Sequence, residues 1–412
     1  MAAVPVPADT ELRERIRRLP GMERLLPALE DLPPTYLVGG AVRDLLRGAR
    51  HIDIDIAVEG DARSAARVLA DRLHGTLREH ERFGTATVSA EGLSFDLATT
   101  RTEVYSEPGA LPTVFAATLA DDLRRRDFAI NAMAVALSRD DLGHLYDPCG
   151  GLADLRAGTI RILHSGSFLD DPTRLLRAVR YEARLGFAMD EDTERAARAA
   201  IAEEAMSTVS GARVRDELMD LLAELDAPSA VERMRDLGLD RALHPALDPD
   251  PELVASASLG AAAIGADRAL AALAALCAAA PEELDLWVAG LHLEARDRDA
   301  VSRAARVARR LAAQLASRDL MPSELRALVA GEPPEALALA LAMGAPTEPI
   351  LRWVTELGAV RLEISGDDLI AAGVPEGPPI GRALEETLRR KLDGVVSGRE
   401  EELATALELA RD

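Results

Sequence analysis

The stretch HIDIDIAVEG, residues 51–60, puts two carboxylates two positions apart in an apolar run that predicts a β-strand. Residues i and i+2 of a strand project from the same face, so Asp53 and Asp55 are expected to stand side by side. One interpretation is an exposed alternating strand with its isoleucines turned inward, and an isolated DxD pattern favours it. The other is a site for a divalent cation, because hard cations such as Mg²⁺ prefer paired carboxylate oxygens.

A second pattern, YLVGGAVRDLLRG at residues 36–48, directly precedes the first. It predicts a strand that runs into Gly39 and Gly40 and then into a helix, where backbone N–H groups can approach a phosphate. Arg43, in the first turn of that helix, can fork onto phosphate oxygens or pair with a neighbouring acid such as Asp44. The order strand, glycines, helix with arginine and strand with DxD describes a triphosphate cradle that leads to a two-metal site.

The elements that must hold these residues form an α/β head followed by helices. Up to about residue 148, TYLV, DIDIAV, TATVSA and SFDLATT predict strands, and AVRDLLRG and ARSAARVLADRL predict helices. After about residue 165 the chain reads as helices separated by Pro and Gly breaks. The predicted domains are an N-terminal helical extension (1–34), the head (35–155), a helical neck (156–243), a helical body (244–330) and a helical tail (331–412).

Composition and charge exclude several classes of protein. A chain of 412 residues with 48% hydrophobic and 3% aromatic residues predicts a folded, mostly helical protein of about two to four domains. The net charge of −22 argues against a general nucleic-acid coat protein, although a local basic patch remains compatible with it. Lys391 is the only lysine, which excludes a lysine-dependent phosphate loop near the N-terminus.

Cysteine spacing and hydropathy limit the metal ligands and the cellular compartment that can be expected. Cys149 and Cys277 give neither a disulfide framework nor zinc-ligand spacing, so any metal must be held by oxygens. No apolar run reaches transmembrane length, and the first residues lack the order of a signal peptide. We therefore expect a cytoplasmic protein without a membrane partner.

Five ordered motifs resemble a known family. GGAVRD, DIDIAV, RRDFAINAMA, DPCGGLADL and DDPTRLLRAVRYEARLGF occur in the order and spacing of the class II CCA-adding enzymes and bacterial poly(A) polymerases, members of the polymerase β nucleotidyltransferase superfamily. They cover residues 36–187 densely, and ISGDDLIAAGVPEGPPIGRALEE, residues 364–386, resembles the tail of these enzymes. The resemblance implies a polymerase β-like α/β nucleotidyltransferase head with a mixed sheet.

The resemblance also implies roles for individual residues. Asp53 and Asp55 match the metal-binding catalytic pair, and Asp96 in SFDLATTR is either a third carboxylate near the metals or a surface acid. The positions that match contacts to the incoming nucleotide are Gly39, Gly40, Arg43 and Arg126. His51, beside the DxD pattern, is interpreted as a structural neighbour, because metal activation makes a catalytic base unnecessary.

The segment DDPTRLLRAVR places Asp171, Arg174, Arg177 and Arg180 three residues apart, and we expect consecutive members to be neighbours on one helix. Asp171 and Arg174 can form a surface ion pair that contributes little. Alternatively, their acceptors and donors match the base edge of cytosine and adenine, which has an amino donor beside a ring-nitrogen acceptor. Uracil and guanine present the opposite pattern. The family uses such a protein template, and Arg177 and Arg180 would steady the helix and the nucleotide.

Three positions depart from the family pattern without removing a required charge. Asp170 replaces the usual glutamate, Ala129 a common threonine and Cys149 the usual aromatic residue before Gly-Gly. The segment at 101–123 contains PGALP, a form found both in relatives that add part of the triplet and in complete CCA enzymes. The number of nucleotides added therefore stays open.

The predicted activity is template-independent addition of C, C and A to the 3′ end of tRNA from CTP and ATP, with Mg²⁺ and release of pyrophosphate. The alternatives are CC-only addition, A-only addition, poly(A) tailing and a catalytically silent RNA-binding relative. For tRNA binding, Arg303, Arg306 and Arg310 share a predicted helix face, which is otherwise a solvated charged face. The sequence does not define an oligomeric state.

Overall fold

The apolar runs of the first part of the chain form strands, in a computed structural model that describes residues 8–49, 52–80 and 84–411. The strands are β1 (Thr35–Val38), β2 (Ile54–Val58), β3 (Thr76–His80), β4 (Thr85–Ala90), β5 (Leu93–Thr99), β6 (Arg101–Val104), β7 (Thr113–Ala116), β8 (Ala134–Ala136), β9 (Leu145–Tyr146), β10 (Thr159–Ile160) and β11 (Ala188–Met189). Seven of them form one sheet in the order β3-β4-β5-β2-β1-β8-β9. Only β2 and β5 are parallel neighbours in that sheet, so it is mixed, as predicted.

Helices flank the sheet and make up most of the remaining chain. The first twelve are α1 (Asp9–Arg17), α2 (Met22–Ala28), α3 (Gly40–Leu46), α4 (Ala62–Leu73), α5 (Leu119–Arg124), α6 (Gly151–Ala157), α7 (Ser167–Asp170), α8 (Arg174–Leu185), α9 (Glu191–Ala202), α10 (Gly211–Ala223), α11 (Ala227–Leu237) and α12 (Leu239–Leu243). The others are α13 (Pro251–Ile264), α14 (Arg268–Cys277), α15 (Pro281–Gly290), α16 (Ala295–Ala316), α17 (Pro322–Val329), α18 (Pro334–Ala342), α19 (Thr347–Thr355), α20 (Gly366–Ala371), α21 (Pro378–Leu392) and α22 (Gly398–Leu409). The predicted fold class, an α/β head followed by helices, is confirmed.

The chain divides into two units. Unit 1 comprises Met1–Glu217 and Asp236–Leu243, and unit 2 comprises Leu218–Arg235 and His244–Asp412. The division therefore falls inside α10 and α11, and residues 218–235 of the predicted neck cluster with the body and tail. All four tyrosines lie in unit 1, whereas both tryptophans lie in unit 2.

Hydrophobic alternation sets the position of the central strands. Ile54 and Ile56 turn inward, as in the alternating-strand interpretation, and pack in a core that also contains Phe95 and Leu97 of β5. Asp55 lies between the two isoleucines and therefore points to the other face of the sheet. This alternation therefore places the Asp55 carboxylate on an exposed surface, although the other residues of β2 are buried.

The start of α8 differs from the prediction. Asp171 was expected on the same helix as Arg174, but the helix begins at Arg174 and Asp171 has an extended backbone, with φ −136° and ψ 91°. The physical reason is Pro172, because a proline disfavours the helical conformation in the residue before it. Asp171 therefore lies in the turn between α7 and α8.

The predicted all-helical neck contains one short pair of strands. Gly186 ends α8 in the left-handed conformation, with φ 66°, which glycine adopts without steric cost. The chain then runs back, and β11 pairs in parallel with β10. This pairing holds the C-terminal end of α8 beside the segment that enters the neck.

Small residues allow close helix packing in unit 2. The alanine-rich helices α13, α14, α16 and α18 pack together, and a Cβ added at Gly260 would lie 2.7 Å from the carbonyl oxygen of Ala338. A second apolar cluster forms in the tail around Leu369, Ile380 and Ala406. Among the described residues, no helix is long and apolar enough to cross a membrane.

Candidate active site

A cleft of about 510 Å³ in unit 1 collects most of the residues singled out from the sequence. The predicted residues that line it are Gly39, Gly40, Asp55, Arg126, Asp171, Arg174 and Arg177. They come from the β1–α3 turn, from β2, from the segment after α5 and from the start of α8. Asp53, Asp96, Arg43 and Arg180 do not line the cleft.

Asp55 and Asp96 are brought together by strand pairing. They are register partners on the parallel strands β2 and β5, and Thr87 on β4 donates a hydrogen bond of 2.6 Å to Asp96 Oδ1. Desolvation within the cleft raises the pKa of Asp55 to about 6 although the residue remains accessible to solvent, and the negative charges of Asp96 and Asp53 act in the same direction, whereas Arg126 opposes them. The carboxylates thus carry more negative charge than their protein neighbours compensate.

This excess negative charge fits a divalent cation. Asp53, which directly precedes β2, is exposed, as are Asp55 and Asp96. No group of three or more His, Cys, Asp or Glu side chains in the described ranges is arranged closely enough to hold a metal by itself. Mg²⁺ commonly binds through one or two carboxylates together with substrate phosphates and water, so the three aspartates suit a cation that arrives with a nucleotide.

The turn between β1 and α3 requires glycine for two reasons. Gly39 has φ 67°, a conformation that side chains disfavour, and a Cβ added there would lie 2.6 Å from Arg126 Nη1. Arg126 itself is held by Asp122, with Nη2 donating to Oδ2 at 2.9 Å. The guanidinium therefore lies directly over the glycine turn, and its positive charge lowers the pKa of Asp55.

Arg43 is engaged elsewhere. Its guanidinium is buried, forms two hydrogen bonds of 2.9 and 2.8 Å with Asp44, and donates to Asn131 Oδ1 at 2.8 Å. It also lies 5.1 Å from the ring centre of Tyr181. The pairing with Asp44 that the sequence left open is thus present, and a phosphate contact by Arg43 would require these bonds to open.

A buried ion pair braces the floor of the cleft. Asp127 accepts hydrogen bonds from the Phe128 N–H at 2.8 Å, from Asn131 at 3.1 Å and from Arg177 Nε at 2.9 Å. Burial by itself would raise the pKa of Asp127, but Arg177 and these hydrogen bonds hold it at about 2. Arg177 therefore has a structural partner on the cleft wall, in addition to Glu217 at 3.1 Å.

Arg180 does not reach the cleft. Its Nη2 lies 3.4 Å from Glu217 Oε2, and its guanidinium is 5.6 Å from the ring centre of Tyr181. Together with Arg43 and Arg177, it surrounds that one tyrosine ring with three cations. The arrangement joins α3 and α8 through Tyr181.

Asp171 and Arg174 both line the cleft, but their side chains do not bond to each other. Asp171 Oδ1 accepts from the Thr173 N–H at 3.1 Å, from Thr173 Oγ1 at 2.7 Å and from Arg213 Nη2 at 2.6 Å. Arg174 is buried, and it donates to Ser167 Oγ at 2.6 Å and to the Arg125 carbonyl at 3.1 Å. The alternative of a surface ion pair between these two side chains is therefore not present in this structure.

Other cleft residues were not singled out from the sequence, among them Glu103, Tyr105, Arg125 and Arg213. Glu103 accepts from Arg125 Nη1 at 2.7 Å and from the Tyr105 hydroxyl at 3.0 Å. Burial raises the pKa of Tyr105 to about 12, so its hydroxyl remains protonated. Arg125 belongs to the RRD motif, so the sequence could have identified it as a site residue. Arg213 lies at the start of a helix, and no motif in the sequence marks it.

The arginines proposed for RNA binding lie in unit 2 on an exposed face of α16. Arg303 forms two hydrogen bonds with Glu332, of 2.7 and 2.6 Å, and Arg306 pairs with Asp285. Arg310 is exposed on the same helix. Because acids neutralise two of the three arginines, this geometry favours the solvated-face interpretation.

His51 lies outside the described residues.

Comparisons with known proteins identify the family to which this chain belongs. Residues 35–161 match the family described as "Poly A polymerase head domain", and residues 186–250 match "Probable RNA and SrmB- binding site of polymerase A". A solved structure of a CCA-adding enzyme in an apo form is 33% identical and superposes with a TM-score of 0.80, covering 98% of this chain and 99% of that one. The chain belongs to the family of CCA-adding enzymes and bacterial poly(A) polymerases.

Curated relatives differ in the reaction for which they are named. An A-adding tRNA nucleotidyltransferase from Geobacter sulfurreducens is 35% identical over 398 residues, which are 92% of this chain and 45% of that protein. A CC-adding tRNA nucleotidyltransferase from Deinococcus radiodurans is 43% identical over 150 residues, 36% of this chain and 40% of that protein. The chain thus spans less than half of the length of either relative.

Proposed function

We propose that this protein is a template-independent tRNA nucleotidyltransferase that adds C, C and A to the 3′ end of tRNA from CTP and ATP and releases pyrophosphate. The observation that carries the proposal is the position of Asp171 and Arg174 in the same cleft as Asp55 and Arg126. A base-reading pair and a phosphate- and metal-binding pair are thereby combined in one site of nucleotide size.

In this proposal the carboxylates hold Mg²⁺. Asp53 and Asp55 are the ligands, and Asp96 adds negative charge beside them. When bound, Mg²⁺ would activate the attacking 3′ hydroxyl and stabilise the pyrophosphate leaving group. The excess negative charge around Asp55 supports this assignment, because a cation would relieve it.

Arg126 and the glycine turn receive the triphosphate. The Arg126 guanidinium is held by Asp122 with its Nη1 over Gly39, so less side-chain entropy is lost when that nitrogen binds a phosphate. Gly40 lines the same wall. A phosphate bound there would lie between a cation and the carboxylates that hold the metal.

Asp171 and Arg174 read the base. The bonds that Asp171 makes with described residues all end on Oδ1, which leaves Oδ2 to accept from the exocyclic amino group of C or A. Arg174 is fixed by Ser167 and by the Arg125 carbonyl, and its remaining N–H groups can donate to the ring nitrogen. Uracil and guanine would instead bring an oxygen to Asp171 and an N–H to Arg174, and both contacts are repulsive.

A-only addition is the second candidate, because the A-adding relative aligns over 92% of this chain. Nothing in the Asp171 and Arg174 pair separates C from A, since both bases present the same edge. CC-only addition and poly(A) tailing use the same cleft chemistry. The intact Asp53 and Asp55 argue against a catalytically silent relative.

The test uses three tRNA transcripts that end before the CCA triplet, after its first C and after its second C. Each is incubated with the protein, Mg²⁺ and either CTP or ATP. Full CCA addition predicts that CTP extends the first two transcripts and that ATP extends the third. Extension of only the third transcript would establish A-only addition, and failure of ATP on the third would establish CC-only addition. An Asp55→Ala variant controls for contaminating activity.

A further inference from the structure

Arg213 bridges two segments at the edge of the cleft. It is the third residue of α10, and its Nη2 donates to Asp171 Oδ1 at 2.6 Å while its Nη1 donates to the Gly109 carbonyl at 2.9 Å. Both partners lie in unit 1, yet they are 42 and 104 residues away along the chain. A single guanidinium therefore ties the base-reading carboxylate to the 105–112 loop.

The carboxylate needs this tie because its backbone does not fix it. Asp171 is outside α8, in an extended conformation, so no helical rotamer restraint acts on its side chain. Thr173 supplies two short-range bonds to Oδ1, and Arg213 supplies the charged one. All three bonds end on Oδ1, which leaves Oδ2 of this cleft-lining residue for a ligand. Without Arg213, rotation of the carboxylate would no longer be opposed by a charged partner.

The loop end of the bridge is also fixed. Gly109 has φ 71°, and its N–H donates to the Leu169 carbonyl at 3.3 Å. A Cβ added at Gly109 would lie 2.1 Å from Thr208 Oγ1 and 2.8 Å from the Thr208 carbonyl oxygen. The loop is therefore seated so closely on the Ala205–Thr208 turn that only glycine fits, which sets the position of the carbonyl that Arg213 binds.

We infer that Arg213 is a positioning residue for base selection, acting through Asp171 and anchored by the Gly109 carbonyl. The inference rests on the proposed function, in which Asp171 reads the base. Arg213 itself does not contact the base in this arrangement: it determines which oxygen of Asp171 is presented and how rigidly. Its removal should affect the choice between bases more than the rate with the correct base.

The test measures single-turnover rates with CTP and with UTP on a tRNA transcript that ends before the CCA triplet. We expect Arg213→Ala to lower the CTP-to-UTP rate ratio by about tenfold, the effect of losing one charged hydrogen bond. Arg195→Ala is the matched control, because Arg195 is an exposed arginine of unit 1 that pairs with Asp192 and does not line the cleft. It should leave the ratio unchanged.

A double-variant cycle separates positioning from a general structural role. If Arg213 acts through Asp171, Arg213→Ala should have no further effect on the ratio in an Asp171→Ala background. Gly109→Ala approaches the same bridge from the loop side without removing a charge, and it should lower the ratio in the same direction. It also provides the test if Arg213→Ala does not fold.

Failure of the proposed function and failure of the inference about Arg213 give different results in these experiments. An unchanged ratio in Asp171→Ala would overturn the base-reading role in the proposed function. A changed ratio in Asp171→Ala together with an unchanged ratio in Arg213→Ala, or effects that multiply in the double variant, would overturn the positioning role of Arg213 and leave the proposed function intact.

Discussion

Asp55 on β2 and Asp96 on β5 are register partners in the one parallel strand pair of the seven-stranded sheet. Partners in a parallel pair project to the same side, so a carboxylate 41 positions away in sequence stands beside the DxD pair. The negative charge of Asp96 contributes to the raised pKa of Asp55. Strand pairing has thus assembled a three-carboxylate surface that the DxD motif alone does not contain.

We predict different outcomes for two of these carboxylates. Asp55→Ala should abolish nucleotide transfer while tRNA binding survives, because it removes a metal ligand inside the cleft. Asp96→Asn should retain transfer but require about tenfold more Mg²⁺, since it removes supporting charge only. Rates over a Mg²⁺ titration measure both effects, with Asp71→Asn on the exposed face of α4 as control. Normal transfer by Asp55→Ala would overturn the metal assignment.

The base-reading pair predicts two distinct phenotypes. Arg174→Ala should lose rate with both CTP and ATP. Asp171→Ala should in addition accept UTP, because the carboxylate that repels the uracil O4 oxygen is gone. An unmatched donor or acceptor costs about 1–3 kcal/mol, which corresponds to about tenfold to hundredfold discrimination. Single-turnover incorporation of all four nucleotides tests this. A variant that loses only ATP use would indicate a separate adenine site.

The glycine turn offers a matched pair of substitutions. Gly39→Ala and Gly48→Ala both place alanine at positive φ, 67° and 85°, so both should lose stability. Only at Gly39 would the new Cβ meet Arg126, since nothing lies within 4 Å at Gly48. We therefore expect transfer to fall about tenfold or more in Gly39→Ala alone. Equal activity of the two variants would show that Arg126 tolerates displacement.

Asp127 predicts a pH-dependent contribution to stability. Its pKa of about 2 in the folded protein lies below the unfolded value of about 3.9, so its stabilisation is complete above about pH 4 and is lost as the pH falls towards 2. The shift corresponds to about 2–3 kcal/mol. Unfolding free energies of wild type and Asp127→Asn should therefore converge as the pH falls.

Urea unfolding at several pH values between about 2 and 6 measures this convergence. The exposed Asp192, substituted in Asp192→Asn, provides the control for loss of one negative charge. A constant difference between wild type and Asp127→Asn across that range would mean that Asp127 does not titrate below the unfolded value.

The ion pairs on α16 reduce the effect that substituting its arginines should have on the salt dependence of tRNA binding. A residue that contacts a phosphate changes the slope of log K against log salt by about 0.7 to 0.9. Arg303 and Arg306 are paired with Glu332 and Asp285, so substituting them and Arg310 with Gln should change the slope for tRNA binding by less than about one. A change near two or three would restore this helix face as an RNA-binding surface.

Local patterns predicted the elements well. TYLV, TATVSA and ARSAARVLADRL form β1, β4 and α4 residue for residue, because hydrophobic alternation and helical spacing are properties of short segments. The turn residues Gly39 and Gly40, and the inward isoleucines of β2, follow from the same local rules.

Contacts between distant segments were not predictable in this way. Arg43 meets Asn131 across 88 positions, and Arg213 meets Asp171 across 42, and no periodicity encodes either contact. Pro172 was visible in the sequence, and its effect on Asp171 could have been inferred from the steric restriction on residues before proline. The motifs of the candidate site were therefore predictable from the sequence. The hydrogen bonds and ion pairs between its residues became visible only in the folded structure.

The division into two units separates the chromophores of this protein. Trp287 and Trp353 belong to unit 2, whereas every tyrosine belongs to unit 1 together with the cleft. Tryptophan emission, the usual probe of unfolding, would therefore follow the unit that lacks the catalytic aspartates. A chain with two units need not unfold in one step, so a single melting temperature would be ambiguous. Variants such as Gly39→Ala and Asp127→Asn have to be followed by a tyrosine signal, and comparing the two spectroscopic bands reports whether the units unfold together.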